Sequence, residues 1–342
     1  MPRPVARLTT PAQMVASLPL WLGFLPTESL VVVCCHEPRG RIGLTVRFDL
    51  PAAGAEHLLA AEAERRVRQQ QATRVLLAVY TAEADGPGLA RSALVDALRT
   101  ALGDLVVTEA VLVRTDRFWS YLCADPACCP PAGTPVDAAS GSAPVRLLQA
   151  EQVLDGRAVL PDRAAFEASL AGPTGLAARA AVRRCEIASA LLADAVEEGP
   201  ETAAETARSA WWRAVARFGA PPAALADSEA ATLAVSLVDV RVRDELATAP
   251  GRLVPSLLAV VEELARRTPP PYDVPVCALL AWLSYRQGGG ATVTIALERA
   301  LDSDPDYGLA QLLQQAVHAQ VPPSLLRRLA GGEGRDRERP AC

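Results

Sequence analysis

The chain has 342 residues, half of them hydrophobic, enough to bury a core and to form two domains more readily than one. A formal charge of -5 and a pI near 5.4 argue against a protein whose main task is to neutralise phosphates, so no nucleic-acid partner is expected. All 34 cationic residues are arginine, and the absence of lysine excludes Schiff-base catalysis and a phosphate-loop ammonium.

Asparagine is missing too, and because lysine and asparagine codons both begin with AA, the bias reflects GC-rich coding. The first residues, Met1-Pro-Arg-Pro-Val-Ala-Arg7, lead into a helix signal with interspersed polar residues, unlike the unbroken apolar region of a secretory leader. No stretch approaches the roughly eighteen charge-free apolar residues of a membrane span. A cytoplasmic protein without membrane association is expected, with its eight cysteines kept as reduced thiols.

Thr10-Pro-Ala-Gln13 is a capping-box start for a helix reaching about Leu20. Leu30-Val-Val-Val-Cys-Cys35 reads as a buried strand, Glu37-Pro-Arg-Gly40 as a turn, and Ile42, Leu44, Val46 and Phe48 as the buried face of a second, antiparallel strand. A helix over Ala55–Gln71, a wholly apolar strand over Arg74–Tyr80, a helix over Leu89–Leu102 and a strand over Leu105–Val113 follow. Arg117–Cys123 returns beside the last as a hairpin. The order α-β-β-α-β-α-β-β predicts a mixed α/β layer over residues 1–135.

Residues 136–160 read as a linker and connecting helix, since Pro130–Pro144 is rich in Pro, Gly, Ala and Ser. Beyond it strand signals vanish, and helices are predicted over Val145–Leu154, Asp162–Leu170, Leu176–Glu198, Thr202–Phe218, Ala223–Ala247, Pro255–Arg267, Val274–Arg286, Thr292–Leu301 and Tyr307–Ala319, with a short one near Leu326. This gives an all-α domain over 161–330 and a disordered tail over 331–342. Ala281-Trp-Leu-Ser-Tyr285, Gly289, Ala296-Leu297, Ala300-Leu301 and Asp304-Pro305 fall in the order of one tetratricopeptide-like helical hairpin, too few repeats for a solenoid.

Chemistry is densest in Trp119-Ser-Tyr-Leu-Cys-Ala-Asp-Pro-Ala-Cys-Cys-Pro-Pro-Ala-Gly-Thr-Pro-Val-Asp137. Cys123, Cys128 and Cys129 can give zinc three thiolates, with His36 or Cys34 as a fourth ligand, although paired C-x-x-C arms are absent. Alternatively, Cys128 and Cys129 form a vicinal disulfide or a redox-sensing thiol pair, or Cys123 is a small buried strand residue and Cys128-Cys129 shape a tight turn. No cofactor is otherwise expected.

Asp116, Arg117, Asp125 and Asp137 lie at a strand end and its loop, where a carboxylate-and-guanidinium pocket would take a small polar ligand; Thr27, Glu28 and Ser29 can line the same edge. In the helical half, Asp239, Arg241, Arg243, Asp244 and Glu245 are spaced for Asp239–Arg243 and Arg241–Glu245 pairs one turn apart. Trp211 and Trp212 cannot share one core face, so with Arg241 and Arg243 they are read as a protein-partner surface. His57 and His318 lie on amphipathic helices without serine or cysteine partners, so no catalytic triad is predicted.

Three segments taken together resemble an actinobacterial family of unknown function. They are Leu22-Gly-Phe-Leu-Pro-Thr-Glu-Ser-Leu-Val-Val-Val33, the cysteine segment above, and Ala281-Trp followed by Ala-Leu-Glu-Arg-Ala-Leu and Asp-Pro-Asp-Tyr307. The resemblance spans nearly the whole chain and implies a cytosolic protein with no established substrate. The expectation is a binding or adaptor protein, its helical half engaging a protein partner and its strand ends a small ligand. The alternatives are a hydrolase or transferase using Asp116, Asp125 or Asp137 with arginine, and a zinc or thiol-redox regulator.

Overall fold

The computed structural model describes residues 5–321 except 38–39, 87, 155–156, 220–223, 288 and 320. The predicted helix near Leu326 and the tail over 331–342 lie outside the described residues, as does the centre of the 37–40 turn. The chain divides into two units, Met1–Phe166 and Glu167–Cys342.

The first unit runs α1 (Pro11–Leu22), β1 (Ser29–His36), β2 (Arg41–Asp49), α2 (Glu56–Gln69), β3 (Arg74–Tyr80), α3 (Ser92–Leu102), β4 (Val106–Arg114), β5 (Arg117–Ser120), β6 (Thr134–Pro135), α4 (Asp137–Ser140) and α5 (Ala143–Leu154), and ends within α6 (Arg163–Ser169). The predicted order of the first eight elements is reproduced. Thr10 Oγ1 caps α1 by accepting the Gln13 amide at 3.2 Å, but Gln13 Oε1 returns its bond to the amide of Thr9, one residue earlier than a closed capping box requires.

The strands form one mixed sheet in the order β2-β1-β3-β4-β5-β6, parallel only between β3 and β4. The continuous apolar run of β1 is explained by cover on both faces. Leu30, Val32 and Cys34 join Val75, Leu77, Val79 and Leu112 beneath Ala63 and Val67 of α2 and Leu94 and Leu98 of α3. Val31, Val33 and Cys35 join Ala78, Val111 and Val113 beneath Met14, Val15 and Leu18 of α1. The result is a three-layer α/β/α arrangement.

Strand β2 lies at one edge, where Leu44 and Phe48 pack on the α2/α3 side as predicted but Ile42 is exposed. The register slips between the Val33–Thr45 and Cys35–Ile42 pairs, and Gly43 sits in this bulge, where a Cβ would lie 2.3 Å from His36 Nε2. At the other edge, β6 and α4 occupy the stretch read as loop. Two residues carry no apolar period, and Pro135 is tolerated because its strand has no outer neighbour.

The second unit is helical among its described residues: α7 (Gly175–Glu198), α8 (Pro200–Phe218), α9 (Asp227–Ser236), α10 (Val240–Ala247), α11 (Val254–Arg267), α12 (Asp273–Gln287), α13 (Gly290–Ser303) and α14 (Gly308–His318). The single helix predicted over Ala223–Ala247 is two, with 220–223 outside the described residues. Ser236 Oγ turns back to the Leu233 carbonyl at 2.8 Å, and Asp239 caps α10 by accepting the Arg241 amide at 2.9 Å, so the chain breaks at 237–239. Helix α12 is apolar all round and buried from Val274 through Ala281 and at Leu283, which makes it a core element of this unit.

Candidate functional site

The cysteine loop is built out from the β4–β5 hairpin, whose Arg114–Arg117 pair closes over Thr115 and Asp116, with Thr115 left-handed at φ 57. Ser120 Oγ donates to Glu109 at 2.8 Å and accepts the amides of Leu122 and Cys123 at 3.1 and 3.2 Å. The Asp125 carbonyl accepts the amides of Cys128 and Cys129 at 3.1 and 2.7 Å, while its carboxylate accepts that of Ala127 at 2.9 Å. Trp119 Nε1 donates to the Pro131 carbonyl at 3.0 Å, and Arg117 to the carbonyls of Ala132 and Gly133 at 3.1 and 2.8 Å. Gly133 has φ 76, and a Cβ there would lie 2.6 Å from the Trp119 ring.

These bonds fold the loop so that the three sulfurs of Cys123, Cys128 and Cys129 all lie within 4.8 Å of one another. Cys128 is exposed and the other two are half-buried. The Asp125 amide, then the Cys129 thiol, donate to Cys123 and hold its pKa below the ordinary thiol value. Burial, then hydrogen bonds to Cys123 and Cys128, pushes Cys129 up to about 12. Of these two, Cys123 gives up its proton first.

His36 and Cys34 are not brought to this cluster. They sit on β1, and β3 and β4 separate that strand from β5, a lateral distance of about 14 Å from three strand spacings. Cys34 faces the α2/α3 core, where burial pushes its thiol up to about 12. Among the described residues, the three loop cysteines are the one group of three or more histidine, cysteine or acidic side chains whose ligand atoms converge.

The aspartates read as a pocket border the same loop, and Asp125 holds it through its carboxylate. Asp125 caps its turn, Asp116 accepts the Val136 amide through its carbonyl at 2.8 Å, Asp137 opens α4, and Arg117 is committed to main-chain carbonyls. The side chains of Asp116, Asp125 and Asp137 are exposed.

Thr27, Glu28 and Ser29 lie where β1 begins and β3 ends. The Glu28 carboxylate accepts Thr81 Oγ1 and the Ala82 amide, both at 2.8 Å. Ser29, fully buried, donates to the Thr27 carbonyl at 2.6 Å and accepts Arg47 Nε at 2.7 Å. Sequence reasoning missed the other groups at this end. Arg91 pairs with Glu83 at 2.5 Å and reaches the Pro51 carbonyl at 2.9 Å. Arg114 reaches the Glu83 carbonyl and Asp85 at 2.6 and 2.9 Å and stacks 5.5 Å from the Trp119 ring centre.

Arg114, then the Ala90 amide, holds the Asp85 carboxyl below its ordinary value. Among the described residues, four without a glycine's freedom have positive φ, and Glu28, Arg91 and Thr115 belong to this end of the sheet while Gln71 precedes β3. No sequence signal marks a left-handed arginine or glutamate.

In the helical unit, Trp211 is fully buried and donates to Ser236 Oγ at 3.0 Å, while Trp212 is half-buried and donates to Glu245 at 2.7 Å. The predicted one-turn ion pairs do not form, because Asp239 is a cap outside α10 and Glu245 is taken by Trp212 and Arg208. Asp239 grips Arg241 with both oxygens at 3.0 and 2.6 Å, and Arg241 also meets Glu201 at 2.6 Å. Arg243 pairs with Asp244 and Tyr307.

The feature that sequence periodicity did not single out is α7, which buries the small residues Ala181, Cys185 and Ala188 and leaves Leu176, Ile187 and Leu191 at 81%, 58% and 63% exposure. Beside its C-terminal turns lies a cavity of about 350 Å³ lined by Leu192, Val196, Ala203, Val238, Val240 and Arg241.

No helix of the described residues is long and apolar enough to cross a membrane. No curated protein and no solved structure matches the chain. A family model described as a domain of unknown function, DUF4192, matches residues 11–324, nearly everything described above, and the chain belongs to that family.

Proposed function

We propose that the protein is a non-catalytic binding or adaptor protein whose helical unit takes an amphipathic helix of a protein partner. The observation that carries this reading is α7, with its small residues inward and Ile187 and Leu191 outward at i, i+4 spacing. A separate apolar surface adjoins it, where Val196, about half a turn round α7 from Ile187, lines a cavity with Val238 and Val240. Its charged members, Asp239 and Arg241, neutralise each other, which favours an apolar partner over a highly charged one.

The test places a photo-crosslinking residue at Leu191 of the full chain in its native cells. One dominant adduct with a different protein, abolished by Ile187→Asp, is expected. An adduct with the mass of two copies would assign the face to self-association, and the absence of a discrete adduct would overturn the reading.

A second element of this reading is a small polar ligand at the carboxyl ends of β3 and β4, favoured by the left-handed backbone gathered there at Glu28, Arg91 and Thr115. Protection of the 81–91 segment from hydrogen exchange by a retained metabolite would support it. Identical exchange before and after exhaustive dialysis from denaturant would remove it.

A further inference from the structure

We propose that Cys123, Cys128 and Cys129 form a metal site that holds one zinc(II) ion through three thiolates and leaves the fourth position to water. Sulfurs around one tetrahedral zinc, with Zn–S of about 2.3 Å, stand about 3.8 Å apart. Separations of at most 4.8 Å close to that value by small side-chain rotations.

Hydrogen bonds that do not use the sulfurs shape the loop. The Asp125 carbonyl gathers the amides of Cys128 and Cys129, Ser120 Oγ holds the Cys123 amide, and Trp119 and Arg117 fasten residues 131–133 to β5. Such support is what gives ligands a fixed geometry. The exposed Cys128 supplies an entry path and keeps one side of the site open to solvent.

Charge selects the ion. Three thiolates with zinc(II) leave a net charge of about -1, whereas a monovalent soft ion such as copper(I) leaves about -2, beside the Asp125 carboxylate that already bears on Cys123. Binding converts three thiols and a dication into a tri-thiolate complex and three released protons, so charge and atoms balance. The competing uses of these residues account for fewer of them. A disulfide joins two sulfurs and leaves the third unexplained, and a tight turn at Cys128 and Cys129 leaves the approach of Cys123 unexplained.

The experiment uses the full chain, purified with a thiol reductant and without chelator. Elemental analysis should find about one zinc per chain. Cobalt(II) added to chelator-stripped protein should give the thiolate-to-metal charge-transfer absorption of a sulfur-rich tetrahedral site. Cys123→Ser, Cys128→Ser and Cys129→Ser should each weaken zinc binding by more than the ~100-fold typical of outer-shell changes, while Cys185→Ser, in the helical unit, leaves it unchanged.

Because cobalt is read on the unaltered chain, a variant that misfolds does not decide the outcome. Reduced protein that neither retains zinc nor shows the cobalt band would overturn the site. So would zinc that survives all three substitutions, or a disulfide among the three that forms in preference to metal binding.

Discussion

Asp273, which has no exposed surface, receives Arg299 Nε at 2.8 Å, and the same guanidinium donates to the carbonyls of Leu170, Ala265 and Thr268 at 3.0, 2.7 and 2.6 Å. One arginine on α13 thus ties together the chain after α6, the end of α11 and the start of α12. Removing either partner strands the other in a dry site, so Asp273→Ala or Arg299→Ala should cost about 3–5 kcal/mol. Urea unfolding followed by the fluorescence of Trp211, Trp212 and Trp282 measures it. A loss below about 1 kcal/mol would show that water already solvates the pair.

Glu28 combines a left-handed backbone at φ 42 with a carboxylate that satisfies Thr81 and Ala82. Glu28→Ala keeps the strain and loses the acceptor, whereas Glu28→Gly loses the acceptor and relieves the strain. The glycine variant should therefore be the more stable of the two by about 1 kcal/mol. Equal melting temperatures would show that the backbone at residue 28 stores no strain.

Asp85 has a depressed carboxyl pKa in the folded chain, caused first by Arg114 and then by the Ala90 amide. A group that binds protons less readily when folded contributes stability above its unfolded value, about 3.9, and loses it as pH falls through the folded value. The group is largely exposed, so solvent screening keeps the effect small. Asp85→Asn should melt below the unaltered protein at pH 6, and the gap should close as the medium is acidified below pH ~4. A gap that widens in acid would reverse the sign of this linkage.

The thiols divide by location. Burial pushes Cys34 and Cys277 up to about 12 and Cys185 up to about 11, so these should resist alkylation at neutral pH until the chain unfolds. In chelator-stripped native protein, an alkylating reagent should label Cys123 and the exposed Cys128 first, read by peptide mass spectrometry. Early labelling of Cys277 would mean that α12 opens locally.

Gly133→Ala places a Cβ against the Trp119 ring at a residue with φ 76. The strain should cost about 1–3 kcal/mol and loosen the loop, lowering zinc retention along with the melting temperature. Retention of both would show that the loop relaxes without disturbing the sulfurs.

The layered half was legible because its strands carry long apolar runs and its helices a clean 3.6 period. Leu30–Cys35 could be placed in a buried strand from composition alone, and the described helices of the second half, apart from the one that breaks after Ser236, were found to within a few residues. What escaped lacks periodicity. β6 spans two residues, and the break after Ser236 depends on a serine turning back on its own helix.

The cysteine loop was visible as a concentration of residues, but the gathering of its sulfurs rests on Asp125 and Ser120 bonding to amides several positions away, which no residue count reveals. The inward alanines of α7 look unremarkable beside other alanine-rich helices until their larger neighbours are found facing solvent. The left-handed Glu28 and Arg91 had no sequence mark at all.

Both margins of the sheet are closed to strand addition. On one side the bulge at Gly43 and the charged Arg41, Arg47 and Asp49 disrupt the outer ladder of β2; on the other, two residues ending in a proline offer almost no free amides. A chain with blunted sheet margins does not polymerise edge to edge as its concentration rises. In the proposed binding role, recognition falls to helix faces and loops, where side chains rather than backbone choose the companion, so single substitutions would redirect it.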